Sequence, residues 1–70
     1  MKKKIKIKIN GKINKIDDKT KLSDLVKNLK VPLKNVAIEL NREIVDKKNL
    51  NKIKLKVSDK IEIVHFIGGG

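Results

Sequence analysis

Isoleucine and lysine alternate without a break from Lys4 to Ile9, so an extended backbone puts Ile5, Ile7 and Ile9 on one face and Lys4, Lys6 and Lys8 on the other. Strict alternation of β-branched and charged residues is the pattern of a half-buried strand. Asn10-Gly11 follows, and both residues tolerate the positive φ of a type I′ turn, so Lys12 to Asp17 is predicted to return as an antiparallel partner. The apolar residues of that return, Ile13 and Ile16, are an odd number of positions apart, which predicts a bulge or bend.

The period then changes. Leu22, Leu25, Val26 and Leu29 recur at helical spacing and define one apolar stripe, with Thr20 as the expected cap and Ser23 and Asp24 in the first turn. Val31-Pro32 stops the helix near Lys30, because the residue before proline is driven out of the helical region. Val36, Ile38 and Leu40 alternate as a short strand, Asn41-Arg42 reads as a tight turn, and Glu43-Ile44-Val45 follows as its return. The stretch from Asp46 to Asn51 is polar apart from Leu50, which fits a loop or one helical turn anchored by that leucine. Ile53, Leu55 and Val57, set among lysines, lead to a turn at Ser58-Asp59, and a last strand is expected from Lys60 to Ile67.

Hairpin, helix, short strands, connection and last strand make a two-layer α+β domain: a mixed sheet with one main helix packed on one face. The first and last strands are expected to lie side by side and parallel in the middle of the sheet, a β-grasp arrangement. The predicted division is a β-grasp domain over residues 1–67 and a flexible glycine tail over 68–70.

Seventy residues allow one domain with a small core. There is no cysteine, which excludes disulfides, thiolate metal sites and a thiol nucleophile. Phe66 is the one aromatic residue, so the core must be aliphatic. A net charge of +11, almost all of it lysine with Arg42 as the sole arginine, permits contact with polyanions. Sequence-reading nucleic-acid modules lean on arginine forks and aromatic stacking, however. The lysines are therefore read mainly as a solvated surface, with nonspecific sticking at low salt; a basic nucleic-acid-binding module is the alternative of a different class. The lysines at Lys6 and Lys8 interrupt any signal-like apolar run, no stretch is long enough to span a bilayer, and a cytoplasmic location is the default.

Catalytic sets are missing. His65 is the only histidine, which rules out a His-based metal cluster, and neither Ser23 nor Ser58 is recommended as its partner. The eight carboxylates mostly neighbour lysines or turns. No catalytic residue, metal or bound cofactor is expected. Two features point instead to a partner protein. In the last strand Ile61 and Ile63 should face the helix, which leaves Glu62, Val64 and Phe66 on the outer face; Val64 and Phe66, extended by Ala37, form a candidate docking patch. Directly after it come Gly68, Gly69 and Gly70, a tail without side chains that another protein can thread through a narrow channel to reach a terminal carboxylate.

Taken together, the Asn10-Gly11 hairpin, the Thr20 to Val26 helix, the run Val36-Ala37-Ile38-Glu39-Leu40-Asn41-Arg42-Glu43-Ile44-Val45, the turn at Asp59 and Ile61-Glu62-Ile63-Val64 leading to Gly69-Gly70 resemble the ThiS family, the small ubiquitin-like sulfur carriers of thiamine thiazole synthesis. The resemblance covers essentially the whole chain. It implies a β-grasp fold and a cycle in which an adenylating enzyme of the ubiquitin-activating type uses ATP and magnesium to activate Gly70. Sulfur then displaces AMP to leave a thiocarboxylate, and thiazole synthase accepts that sulfur. Gly68 and Gly69 would thread the tail, and Val64, Phe66 and Ala37 would dock the body. Carriage for molybdopterin, tRNA thiolation or cysteine synthesis, or action as a ubiquitin-like modifier, remain alternatives. The chain departs from the family pattern where Arg42 stands for a frequent glycine after Asn41, where Ser58 stands for a glycine before Asp59, and where Leu50 replaces a frequent tryptophan.

Overall fold

A computed structural model of the chain describes residues 3–66. The alternating segments become strands β1 (Lys4–Ile9) and β2 (Lys12–Asp17), joined by Asn10 and Gly11 at φ 48° and 84°, the two positive values of a type I′ turn. Helix α1 (Leu22–Asn28) follows, then β3 (Val36–Leu40), β4 (Glu43–Ile44), a 3₁₀ helix (Lys47–Lys52) and β5 (Lys60–His65). The strands form one five-stranded sheet in the order β2-β1-β5-β3-β4. β1 and β5 are parallel and adjacent in its middle, and the other pairs are antiparallel. This is the expected mixed α+β architecture.

The core lies between the sheet and the layer made by α1 and the 3₁₀ helix. Ile7, Ile38, Ile61 and Ile63 from the sheet meet Leu22, Leu25 and Val26 from α1, with Leu50 and Leu55 closing the ends. It is wholly aliphatic, and Leu50 fills its place as the anchor of the 3₁₀ helix, 4% exposed. Asp46 caps that helix by accepting the Lys48 N–H at 3.1 Å.

Two local expectations are corrected. The β1–β2 register runs unbroken from Lys4↔Asp17 to Ile9↔Lys12, so the odd spacing of Ile13 and Ile16 does not mark a bulge. Ile16 lies opposite Ile5 on the inner face, and Ile13 lies opposite Lys8 on the outer face, 66% exposed. The helix is also shorter than its stripe. Thr20 does not cap it, because segment 20–22 is zipped to 53–55: the Leu55 N–H donates to the Thr20 carbonyl at 2.9 Å and the Leu22 N–H to the Ile53 carbonyl at 2.8 Å. Lys21 is the cap residue, and the Asp24 carboxylate accepts its N–H at 3.1 Å. At the other end Lys30 adopts φ 56°, its N–H donating to Lys27 and the Val31 N–H to Val26. This paired closure ends the helix before Pro32 is reached.

Arg42 and Ser58 have φ 71° and 69°, the left-handed region that glycine occupies without cost. Both departures from the family pattern thus carry backbone strain, which for a residue with a Cβ is of order 1 kcal/mol. Arg42→Gly and Ser58→Gly, measured separately by thermal melting, are expected to raise the melting temperature by about 3–6 °C each, the free energy released being roughly 0.5–1 kcal/mol after the added unfolded-state entropy of glycine. An unchanged or lower value for both would remove strain as the account of these two turns.

Candidate docking face and terminal strand

β5 is the strand toward which the rest of the molecule is organised. It pairs with β1 at Lys8↔Lys60 and Ile9↔Ile61, and with β3 over five positions from Leu40↔Ile61 to Val36↔His65. The Phe66 N–H extends that second ladder by donating to the Asn35 carbonyl at 2.8 Å. β1 ends at Ile9, so its direct pairing to β5 stops early, and Asn10 takes over from it. The Asn10 N–H donates to the Ile61 carbonyl at 2.9 Å. Its side chain then accepts the Ile63 N–H at 2.8 Å and donates to the Ile63 carbonyl at 3.4 Å. A side-chain amide here stands in for the peptide group that a longer β1 would have supplied.

Asn41, the first residue of the other left-handed turn pair, does the same at the start of β5. Its N–H donates to the Lys60 carbonyl at 2.8 Å, its Oδ1 accepts the Lys60 N–H at 3.0 Å, and its Nδ2 reaches Asp59 Oδ1, also at 3.0 Å. Asp59 in turn accepts the Lys56 N–H at 2.7 Å through its other oxygen. Sequence reasoning placed all three residues in turns and missed that two of them fasten the last strand. Asn10→Gly keeps the turn and deletes the clip. It is expected to cost about 1–3 kcal/mol, since a partly buried N–H and carbonyl lose their partners. The Ile63 amide should exchange with solvent faster than its neighbours in β5. Wild-type melting and exchange in this variant would show the clip to be idle.

On the outer face of the sheet the register sets Val64 directly opposite Ala37, as alternation predicts. Val64 is 43% and Phe66 58% exposed, while Ala37 is half-buried. Ile44, 76% exposed, lies on the same face opposite Glu39, which lies opposite Glu62. It was not singled out from the sequence, although the turn at Asn41-Arg42 would have placed it there by counting back from Glu39. Gly68, Gly69 and Gly70, with the tail boundary and the end of the expected last strand at Ile67, lie outside the described residues. His65 is exposed at the end of β5, and no group of three or more His, Cys, Asp or Glu suited to a metal occurs among the described residues. No helix there is long and apolar enough to cross a membrane.

A central last strand, a single helix layer and an apolar patch on the bare side of the sheet define a ubiquitin-like β-grasp module. The chain belongs to the ThiS family, whose sequence model matches residues 7–70. It is 37% identical over 65 residues to the sulfur carrier protein ThiS of Bacillus subtilis, covering 91% of this chain and 98% of that one. The crystal structure of the thiamine biosynthesis protein ThiS from Geobacter metallireducens superposes with a TM-score of 0.81 at 29% identity, over 94% of this chain and all of that one. A thiazole synthase of Magnetococcus marinus is 36% identical over 66 residues, and there the chain spans only 20% of its relative's length. A family of small sulfur carriers fits a chain read as a protein substrate and not as an enzyme.

Proposed function

We propose that this protein carries sulfur for thiazole formation in thiamine biosynthesis as a thiocarboxylate on Gly70. The family match extending through the terminal glycines carries this reading. A carboxylate is a poor electrophile, and adenylation turns one hard substitution into two easier ones. A carboxylate oxygen attacks the α-phosphorus of ATP, pyrophosphate leaves, and an acyl-adenylate forms. Hydrosulfide then adds to the carbonyl carbon, the C–O bond to AMP breaks, and a C–S bond remains. Magnesium and ATP belong to the activating enzyme. The carrier supplies a body with no thiol of its own to compete, and glycines whose missing side chains suit a narrow channel.

In this reading Val64, Phe66 and Ala37 dock the body while Gly68 and Gly69 thread the tail. The acceptor is thiazole synthase, a partner supported by the thiazole synthase in which a segment similar to this chain occurs. Incubation with the cognate adenylating enzyme, ATP, magnesium and sulfide, followed by intact mass spectrometry, tests the proposal. The expected result is replacement of one oxygen by sulfur, localised to Gly70, and its loss on adding thiazole synthase with its small substrates. A mass unchanged under conditions in which the enzyme charges another carrier would refute it.

A further inference from the structure

Charges on the outer face of the sheet are sorted by sign. On the β1–β2 side Lys6 lies directly opposite Lys15, and Lys8 is paired with Lys60 across the parallel junction with β5. Lys6, Lys8 and Lys60, with Ser58 and the exposed Ile13, line a shallow depression of about 340 Å³. On the β3 side Glu39 lies directly opposite Glu62, beside the Val64–Ala37 pair. Like charges placed opposite one another across strands destabilise a sheet, and interspersing the two signs would have relieved every one of these pairs. Asp17, at the β2 edge, is the exception to the sorting and is bonded to Lys4 at 2.9 Å; among the described residues no other lysine of β1 has an ion pair. The fold gains nothing from this sorting.

We infer that the outer sheet face is the recognition surface for a protein of complementary sorted charge, with carboxylates opposite Lys6, Lys8, Lys15 and Lys60 and a cationic group opposite Glu39 and Glu62, around an apolar contact on Val64. The inference rests on the carrier reading, in which that protein is the activating enzyme. Two observations favour a protein over a nucleic acid. The lysine stripe ends at a pair of glutamates on the same face, which would repel a polyanion laid across it. The stripe also runs into exposed apolar side chains, Ile13 on one side and Val64 on the other, that a phosphate backbone leaves unused. Opposed fields of this kind act chiefly on the encounter rate and on the choice of partner. The lysines of this face are thus more than a solvated surface.

The test measures initial rates of Gly70 thiocarboxylate formation by the cognate adenylating enzyme at subsaturating carrier and several salt concentrations. It compares the wild type with K6E/K8E, E39K/E62K and, as a control in the helix layer, K27E/K52E. K6E/K8E turns two like-charge pairs into opposite-charge pairs, whereas E39K/E62K exchanges one like-charge pair for another. Circular dichroism and melting establish that each variant is folded before rates are compared. Both outer-face variants are expected to slow charging roughly tenfold or more at low salt, with the deficit shrinking as salt rises, while the control stays near wild type. Combining K6E/K8E with E39K/E62K should not restore the rate, since the partner's pattern is fixed. A wild type that is never charged overturns the carrier reading and this inference with it. Normal charging of both outer-face variants overturns the inference alone. The same holds if E39K/E62K leaves charging intact while tightening binding to single-stranded DNA, which would assign the stripe to nucleic acid.

Discussion

Ile38→Ala is expected to leave the protein barely folded. Ile38 is fully buried in β3 and paired with Ile63 of β5, at the centre of the aliphatic core. Removing so much of a buried side chain costs about 2–5 kcal/mol once the cavity is included. A domain of this size has roughly 4–10 kcal/mol in total. The expected fall in melting temperature is about 8–40 °C, at 4–8 °C per kcal/mol. Aromatic residues and disulfides commonly give small domains a reserve, and this core has neither to spread the loss. A fall of only a degree or two by calorimetry would mean that the core relaxes around the gap and that the close packing described here is wrong.

The second large effect falls on chemistry and spares the fold. Gly69→Leu and Gly70→Leu are each expected to reduce thiocarboxylate formation by roughly 10²-fold or more, the scale on which small misplacements of a reacting group act. If the glycines act only as a tail, melting should match the wild type to within about 0.5 kcal/mol. Mass spectrometry against time gives the rate, and circular dichroism the melting curve. Variants that accept sulfur at the normal rate would sink the idea that an absent Cβ is what admits the tail.

The contrast between these variants follows what the sequence made legible. β1, the Asn10-Gly11 turn and the inward placing of Ile61 and Ile63 are written in local periodicity, and the structure agrees with each. The parallel pairing of first and last strands agrees with the β-grasp arrangement expected from the order of elements, whereas side-chain alternation sets only which face is inward. Errors arose where a distant segment competes for a local group. Thr20 looks like a cap until residues 53–55 claim its carbonyl, and Ile13 looks like a register fault until its outward position beside Lys8 is seen. The role of Asn10 was illegible for the same reason, because its amide answers main-chain atoms 53 positions further on. No side-chain pattern at Ile63 announces that. The sorting of charge was likewise invisible without the register: the junction of β1 with β5 was expected, but only its register sets Lys8 beside Lys60. The terminal glycines stand out by composition alone, and their role rests on the family.

Within β5 the fastening by Asn10 and Asn41 engages peptide groups alone, those of Lys60, Ile61 and Ile63, so nothing in it depends on which side chains that strand displays outward. Glu62, Val64 and Phe66 can therefore diverge between lineages without loosening the attachment. A scaffold built this way can be readdressed to a new client by rewriting three outward letters, which gives one small architecture a simple route to serving several biosynthetic routes.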